Sequence, residues 1–403
     1  MIDSREELID ALTEAAELEH TLLVQYLFAA FSLKRRLDEG ITPIQQAKII
    51  SWERVILEVA RQEMGHLGLV CNLLSAVGGA PRFGRPNFPK SAEKYYPLIP
   101  DFTLTKFSYS TLYRFVCFEL PVDVDPPQLE ELKTISLNVT LFAAPDPLVY
   151  NRVGDLYKQI GEAFSKIPEA ELFIGPKYAQ DEDNWSIELN LQLVTDRASA
   201  QKAIQGIVEE GEGTTADRQN SHYMKFYSIW KELKQIDFEP ARNVVENPFS
   251  RKHRDSDTNN VNVITNKATK EVSELFSSIY NTMLLMLMQY YSYSGETSQQ
   301  RTFLRNTLGQ MMSGLIRPLS EILTELPISE DSTNGFAGPS FEIYSDLRLA
   351  PFVENRWTIL KERFLDAKET ANTLLNIHPR IKITAQNIEW ILLNFDKATE
   401  NQL

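Results

Sequence analysis

The sequence is poor in cysteine, with only Cys71 and Cys117 among 403 residues. Two cysteines cannot build a disulfide framework, and neither belongs to a C-x-x-C pair that would indicate a zinc or redox motif. The first ten residues, MIDSREELID, are acidic and lack the basic and apolar regions of a signal peptide. Together these features predict a protein of the reducing cytoplasm.

Long apolar runs and excess positive charge are also missing. The run that comes nearest to a membrane span, MLLMLM at 283–288, is far shorter than the 18 or so residues that a span needs. Lys and Arg number 41 against 55 Asp and Glu, a net charge of −14. This balance argues against nucleic acid and anionic membranes as partners. No Walker loop, G-x-S-x-G elbow or dinucleotide fingerprint is present.

Helical periodicity dominates the chain and predicts a mainly all-α fold. Four long helices are expected at 4–36, 43–77, 199–212 and 221–234. The halves of this bundle are separated by a long crossover insertion at about 82–195, which fits a ferritin-like four-helix bundle. We predict a bundle domain at 1–246, a polar linker at 247–266 and a helical C-terminal extension at 267–403.

Two polar residues stand on the apolar stripe of the second helix. The stripe runs through Ile56, Val59, Glu63, His66, Val70, Leu73 and Val77, in steps of three or four residues. A helix that turns this face inward buries a carboxylate and an imidazole, which costs several kcal/mol unless a partner compensates. A metal ion is such a partner, because E-x-x-H places both side chains on one helix face, one turn apart.

The other predicted bundle helices carry similar groups. Glu19 lies on the inward stripe of the first helix, and His222 lies among large apolar residues of the fourth. On the third helix the stripe leads to Glu212, while Glu209 lies nearer the polar face and would need the helix to unwind at Gly211. His20 points about 100° away from Glu19 and is expected to be exposed or to support the ligands.

The predicted ligands are Glu19, Glu63, His66, Glu212 or Glu209, and His222. Carboxylates and two imidazoles on four helices are the ligand set of a carboxylate-bridged di-iron or di-manganese centre. Each group alone has an ordinary structural explanation, such as a salt bridge or a hydrogen-bonded core histidine. Their occurrence on four apolar stripes favours the metal hypothesis.

Several local sequences resemble the ferritin-like family named for iminophenyl-pyruvate dimer synthase. They are ELEHT at 17–21, QEMGHL at 62–67 with NLL and GGAP further on, VEEGEG at 208–213, SHYMKF at 221–226, and AGP with FE at 337–342. The resemblance implies a four-helix bundle with a metal-binding core, in proteins of bacterial specialised metabolism. It also leads us to expect a carboxylate three residues before His222, where this chain has Gln219. A mononuclear site is therefore an alternative to two metal ions.

These observations predict a non-haem di-iron oxidoreductase that uses dioxygen on a small, amino-acid-derived substrate, with manganese as the alternative metal. One alternative is a coupling enzyme that dimerises an imine substrate, as the namesake of the family does. The other is a non-catalytic, iron-handling protein. The sequence leaves the oligomeric state open, including a homodimer.

Overall fold

The computed structural model describes residues 2–92, 100–124, 150, 152–182, 185, 188–214, 217–250, 261–293, 295–344 and 347–399. Its first helices are α1 (Arg5–Ser32) and α2 (Pro43–Ala76). Ser4 caps α1 and forms the predicted capping box with Glu7, and Thr42 caps α2 in the same way with Gln45. Since only ten residues separate them, α1 and α2 pack against each other as an antiparallel hairpin.

A second group of helices covers one side of this hairpin. It comprises α3 (Tyr109–Phe118), α4 (Val153–Lys166), α5 (Glu169–Leu172), α6 (Arg197–Gly211) and α7 (His222–Leu233). The partner of α7 is α3, whereas α6 packs mainly on α4. The predicted bundle helix at 199–212 corresponds to α6, which contacts α2 as well as α4, and the short α3 is the helix that packs on α7.

Most of the described residues after α7 are also helical. After the two-residue strands β1 (Pro248–Phe249) and β2 (Asn262–Val263), which pair in parallel, follow α8 (Lys267–Ser292), α9 (Ser298–Met311), α10 (Arg317–Leu323), α11 (Val353–Thr373) and α12 (Ile381–Thr399). A π-helical turn, Met312–Ile316, joins α9 to α10 immediately before Pro318, which has no N–H to continue the ladder. Residues 251–260 of the predicted linker lie outside the described part.

The N-terminal and C-terminal helices share one apolar core. One continuous core of buried apolar residues extends from Ile2 to Ala398, and α8 and α10 belong to it together with the hairpin. The all-α prediction is confirmed. No described helix is long and apolar enough to cross a membrane.

Candidate metal centre

Four helices bring five polar side chains to one point inside the N-terminal half. Glu19 comes from α1, and Glu63 and His66 come from α2. Glu119 is the C-cap of α3, and His222 is the first residue of α7. All five side chains are buried, His222 completely. Buried groups of this kind need partners, and these residues have chiefly one another.

Glu63 stands between the two imidazoles. Its Oε1 lies 2.8 Å from Nδ1 of His222, and its Oε2 lies 3.2 Å from Nδ1 of His66. The two imidazole rings stack at an angle of 26° with their centroids 5.4 Å apart. Ligand atoms of these three residues all lie within 4.8 Å of one another. A carboxylate whose two oxygens face two nitrogen ligands has the arrangement of a bridging ligand.

Each imidazole has further carboxylates beside it. Nδ1 of His66 lies 3.6 Å from Oε2 of Glu19, and its Nε2 lies 3.1 Å from Oε2 of Glu210. On the other side, Nδ1 of His222 lies 3.7 Å from Oε2 of Glu119. The arrangement therefore has a His66 side with Glu19 and Glu210, a His222 side with Glu119, and Glu63 in common.

Two buried tyrosines hold the outer carboxylates in place. The hydroxyl of Tyr157 on α4 donates a hydrogen bond to Oε1 of Glu19, and the hydroxyl of Tyr26 on α1 donates one to Oε1 of Glu119. In each case the other oxygen of the carboxylate is the one near an imidazole. Such partners fix the orientation of a ligand and leave one oxygen for the ion.

The cluster has strongly shifted pKa values because it concentrates charge in a buried space. Burial and then the charge of Glu63 raise the pKa of Glu19 to about 8. Burial alone would raise the pKa of Glu63, but His222 and His66 hold it well below its usual value. Burial opposes protonation of the imidazoles, yet Glu63 raises the pKa of His222 to about 9 and that of His66 well above its usual value. In the absence of a metal, protons on the imidazoles therefore neutralise Glu63.

The residues present fit a metal ion. Nε2 of the fully buried His222 has no hydrogen-bond partner among the described residues. A small cavity of about 20 Å³ lies within the cluster and is lined by Glu19, Glu63, His66, Glu119 and Glu212, with no Lys or Arg among its lining residues. Buried carboxylates that greatly outnumber bases and have a free imidazole nitrogen are suited to divalent cations.

Glu212 and Glu209, the alternative ligands predicted on the third helix, lie in different environments. Glu212 lines the cavity, is buried, and accepts a hydrogen bond from the backbone N–H of Val122 at 3.2 Å; burial raises its pKa to about 7. Glu209 is exposed and accepts a hydrogen bond from Gln205 at 2.6 Å, so the structure does not bring it to the cluster. The structure thus brings together Glu19, Glu63, His66 and His222, with Glu212 at the edge.

Sequence reasoning missed Glu119 and Glu210. Glu119 continues the buried stripe Leu112, Phe115 and Val116 of α3 at helical spacing, a signal that was available in the sequence. Glu210 lies in an acidic run without a periodic signal. Gln219, where a carboxylate was expected, is exposed, and Glu119 is the carboxylate near His222 instead.

His20 is not exposed. It is buried on a different face of α1 from Glu19, and its Nε2 is hydrogen-bonded to the hydroxyl of Tyr280 on α8. Burial and the nearby charge of Arg85 hold the pKa of His20 well below its usual value, so the ring is neutral. It belongs to a different environment from the metal cluster.

Comparisons with known proteins agree with this architecture. The family model described as Ferritin-like matches residues 12–231. The 2-imino-3-(indol-3-yl)propanoate dimerase of Chromobacterium violaceum is 26% identical over 81% of this chain and 33% of its own length. The dichlorochromopyrrolate synthase of Lentzea aerocolonigenes is 26% identical over 99% of this chain and 41% of its own length. The chain therefore spans well under half the length of these curated relatives.

A solved structure, a ferritin-like protein from Caulobacter vibrioides, has a TM-score of 0.48 and 18% identity, covering 76% of this chain and 93% of that one. The family match and the two relatives confirm the resemblance inferred from the sequence, and the family match confirms the ferritin-like fold class.

Proposed function

The chain belongs to the ferritin-like family, and from this premise we propose that it is a metal-dependent oxidoreductase that uses dioxygen on a small organic substrate. The observation that carries the proposal is Glu63, whose two oxygens face two imidazoles inside a ring of buried carboxylates. A purely structural ion-pair cluster would be costly here, since several carboxylates share few bases in a buried space.

The residues of the cluster divide between two metal positions. Glu19, Glu63, His66 and Glu210 would hold one ion, and Glu63, Glu119 and His222 would hold the other. We propose iron as the metal, with manganese as the alternative, because carboxylate and imidazole ligands suit both. Bound iron would supply redox chemistry toward dioxygen that side chains alone do not have.

The surrounding residues have separate tasks in this proposal. Tyr157 and Tyr26 orient Glu19 and Glu119 through hydrogen bonds. Leu22, Phe118 and Ile207 line the small cavity beside the carboxylates and exclude bulk water from it. Glu212, with its pKa at about 7, can hold or release a proton at the edge of the cavity near neutral pH.

An open cleft gives solvent access to the His66 side of the cluster. It has a volume of about 370 Å³ and is lined by His66, Glu210, Asn190, Gln192 and Lys202, among others. The side chain of Asn190 donates a hydrogen bond to Glu210 at 3.0 Å. Dioxygen and a small substrate would approach the cluster from this side.

The names of the relatives favour a second candidate function. One is a dimerase of an indolyl imino acid, and the other is the synthase of a chlorinated pyrrole product. This chain would then couple two aromatic, amino-acid-derived imines, with the metal in a supporting role. Both candidates place the chain among enzymes of specialised metabolism.

Metal counting tests the leading proposal. Protein produced in iron-supplemented medium should contain about two iron or manganese ions per chain, and Glu63→Ala should lose most of them because both positions share Glu63. Glu209→Ala is the matched control, since it removes an exposed glutamate close to the site in sequence. Less than half an equivalent in the parent protein, unchanged in Glu63→Ala, would contradict the proposal.

Oxygen uptake separates the two candidate reactions. The metal-loaded protein is supplied with indole-3-pyruvate imine generated in situ, with and without dioxygen. Oxygen consumption that depends on the imine and is lost in Glu63→Ala supports the oxidoreductase. A dimeric product that forms equally well without oxygen and in Glu63→Ala supports the coupling enzyme.

A further inference from the structure

An apolar cavity, larger than the small one beside the cluster, lies on the other side of the α1–α2 hairpin. Its volume is about 250 Å³, and it is enclosed by α1, α2, α8 and the π-helical turn before α10. None of the carboxylates of the metal cluster lines it. Its location and lining make it a separate site, which the proposed function does not use.

The walls of this cavity are apolar and rich in aromatic rings. Its aromatic residues are Phe31, Phe83, Trp185, Tyr280, Tyr291 and Phe341. Three methionines, Met64, Met283 and Met312, supply adaptable surface beside them. Rings of Tyr280 and Phe341 meet edge to face with centroids 5.3 Å apart. Aromatic walls favour a flat ring as the ligand, through stacked and edge contacts.

The buried end of the cavity has one polar pair. His20 and Tyr280 are hydrogen-bonded to each other there, and both are fully buried. Behind them Arg85 is buried without a carboxylate partner among the described residues; its guanidinium donates hydrogen bonds to the carbonyl oxygens of Phe341, at 2.7 Å, and Pro86, at 2.9 Å. This pair can accept a hydrogen bond from a ring N–H or O–H group.

The more exposed end carries positive charge. Arg61 and Arg317 line it, and no Asp or Glu is among the lining residues. Arg317 is already paired with Glu53 and Glu321. Arg61 donates a hydrogen bond to the backbone carbonyl of Glu188 and has no carboxylate partner among the described residues. An anionic group at this end would pair with Arg61.

We propose that this cavity binds a planar, largely apolar molecule that carries one carboxylate, with its ring among the aromatic walls and its carboxylate at Arg61. The size of the cavity suits a bicyclic ring with a short acidic side chain. The site is separate from the metal centre, although Leu189 lines both this cavity and the cleft beside His66. It therefore binds its ligand whether or not metal is bound.

The experiment uses two probes that share a ring, indole-3-acetate and 3-methylindole, with full-length protein titrated by calorimetry after treatment with a chelator. Both probes should bind with one site per chain, and the carboxylate should strengthen binding about five-fold or more. Arg61→Gln should remove the advantage of the carboxylate, and Arg61→Lys should keep part of it because the charge remains.

Cavity-filling variants locate the site. Leu284→Trp and Leu57→Trp both add bulk to the lining, from α8 and α2, and should abolish binding of both probes. Leu365→Trp, at an exposed position of α11, should leave binding unchanged, as should Glu63→Gln. Circular dichroism of each variant shows whether it is folded, and Leu57, which is only half-buried, tolerates the larger residue better than Leu284.

Three outcomes would overturn the proposal. The first is no binding of either probe at millimolar concentration. The second is binding that persists in both folded tryptophan variants. The third is tighter binding of octanoate than of indole-3-acetate, which would indicate a flexible acyl chain instead of a ring. The result does not depend on metal content, so it is distinguishable from failure of the metal proposal.

Discussion

Glu63 connects the two sides of the cluster because each of its oxygens faces a different imidazole. Apart from Glu63, the carboxylate that lies near His222 is Glu119. Gln219, the residue three positions before His222, is exposed and does not take this place. At the scale of single residues, the proposed second metal position therefore depends on a residue at the end of α3. The sequence position three residues before His222 has no part in it.

Glu119→Ala should lower the metal content from about two ions per chain to about one. The reason is that His222 and Glu63 alone are too few ligands for the second ion, whereas the His66 side keeps all its residues. Metal analysis after dialysis measures the change. Gln219→Ala is the control and should retain about two ions; equal loss in the two variants would argue against the role of Glu119.

The burial of His20 leads to a separate prediction about how the stability of the protein depends on pH. Its pKa is well below the usual value, because of burial and Arg85, so the unfolded chain takes up a proton below about pH 6.5 and the folded chain does not. Stability is then lost as the pH falls. From about pH 7 to pH 5 this residue alone should cost about 2 kcal/mol of unfolding free energy.

The measurement is urea unfolding of the parent protein and of His20→Gln across this pH range. The variant lacks the titrating ring. As the pH falls, its unfolding free energy should therefore decrease less steeply than that of the parent protein. The difference in slope corresponds to the uptake of up to one proton on unfolding. Other groups titrate in both proteins and cancel in the difference. Parallel pH profiles would mean that His20 is protonated in the folded chain as readily as in the unfolded one.

At the scale of elements, the sequence predicts well which face of a helix is buried. It predicts less well which other helices that face packs against. The stripes on α1, α2 and α7 identify Glu19, Glu63, His66 and His222, because a periodic apolar face reports its own inward direction. Periodicity does not report pairing, so the sequence does not indicate that α3 packs on α7 or that α6 packs mainly on α4. Glu210 comes near His66 only because α6 contacts α2, a tertiary fact without a local signal.

The close packing of α2 against the segment around Leu189 requires a glycine at position 65. A Cβ atom at Gly65 would approach the backbone carbonyl oxygen of Leu189 to under 3.0 Å. Gly65→Ala should therefore lower the unfolding free energy by about 1–3 kcal/mol, despite the better helix propensity of alanine. Chemical denaturation measures the change.

Gly206→Ala is the matched control on α6. A Cβ atom there meets nothing within 4 Å, so only helix propensity should act, and stability should rise by about 0.5–1 kcal/mol. If both alanine variants are stabilised alike, the segment at Leu189 does not pack on α2 as closely as the structure indicates.

At the scale of the whole molecule, the α1–α2 hairpin separates two sites. The cluster of carboxylates and histidines faces α3 and α7 on one side, and the apolar cavity faces α8 on the other. One core joins both halves, so the C-terminal helices complete the wall of the cavity as well as extending the fold. The predicted domain limits and a homodimer stay predictions.

Metal binding should stabilise the whole chain, and more so at higher pH. Without metal, raised pKa values keep protons on His222 up to about pH 9 and on Glu19 up to about pH 8. The unfolded chain releases these protons at about pH 6.5 and 4.5. Stability from these two groups is therefore present at low pH and is lost as the pH rises through the folded-state pKa values.

A metal ion must displace the same protons from its ligands. Its affinity should therefore be higher at a pH where a smaller fraction of the ligands is protonated. Manganese or anaerobic ferrous iron at one fixed concentration, about 100 times its dissociation constant at pH 8, should add about 2.7 kcal/mol of stability at that pH. The gain in Tm should be larger at about pH 8 than at about pH 6, and it should vanish in Glu63→Ala. A gain that is the same at both pH values, or that survives in Glu63→Ala, would place the binding of the ion outside this cluster.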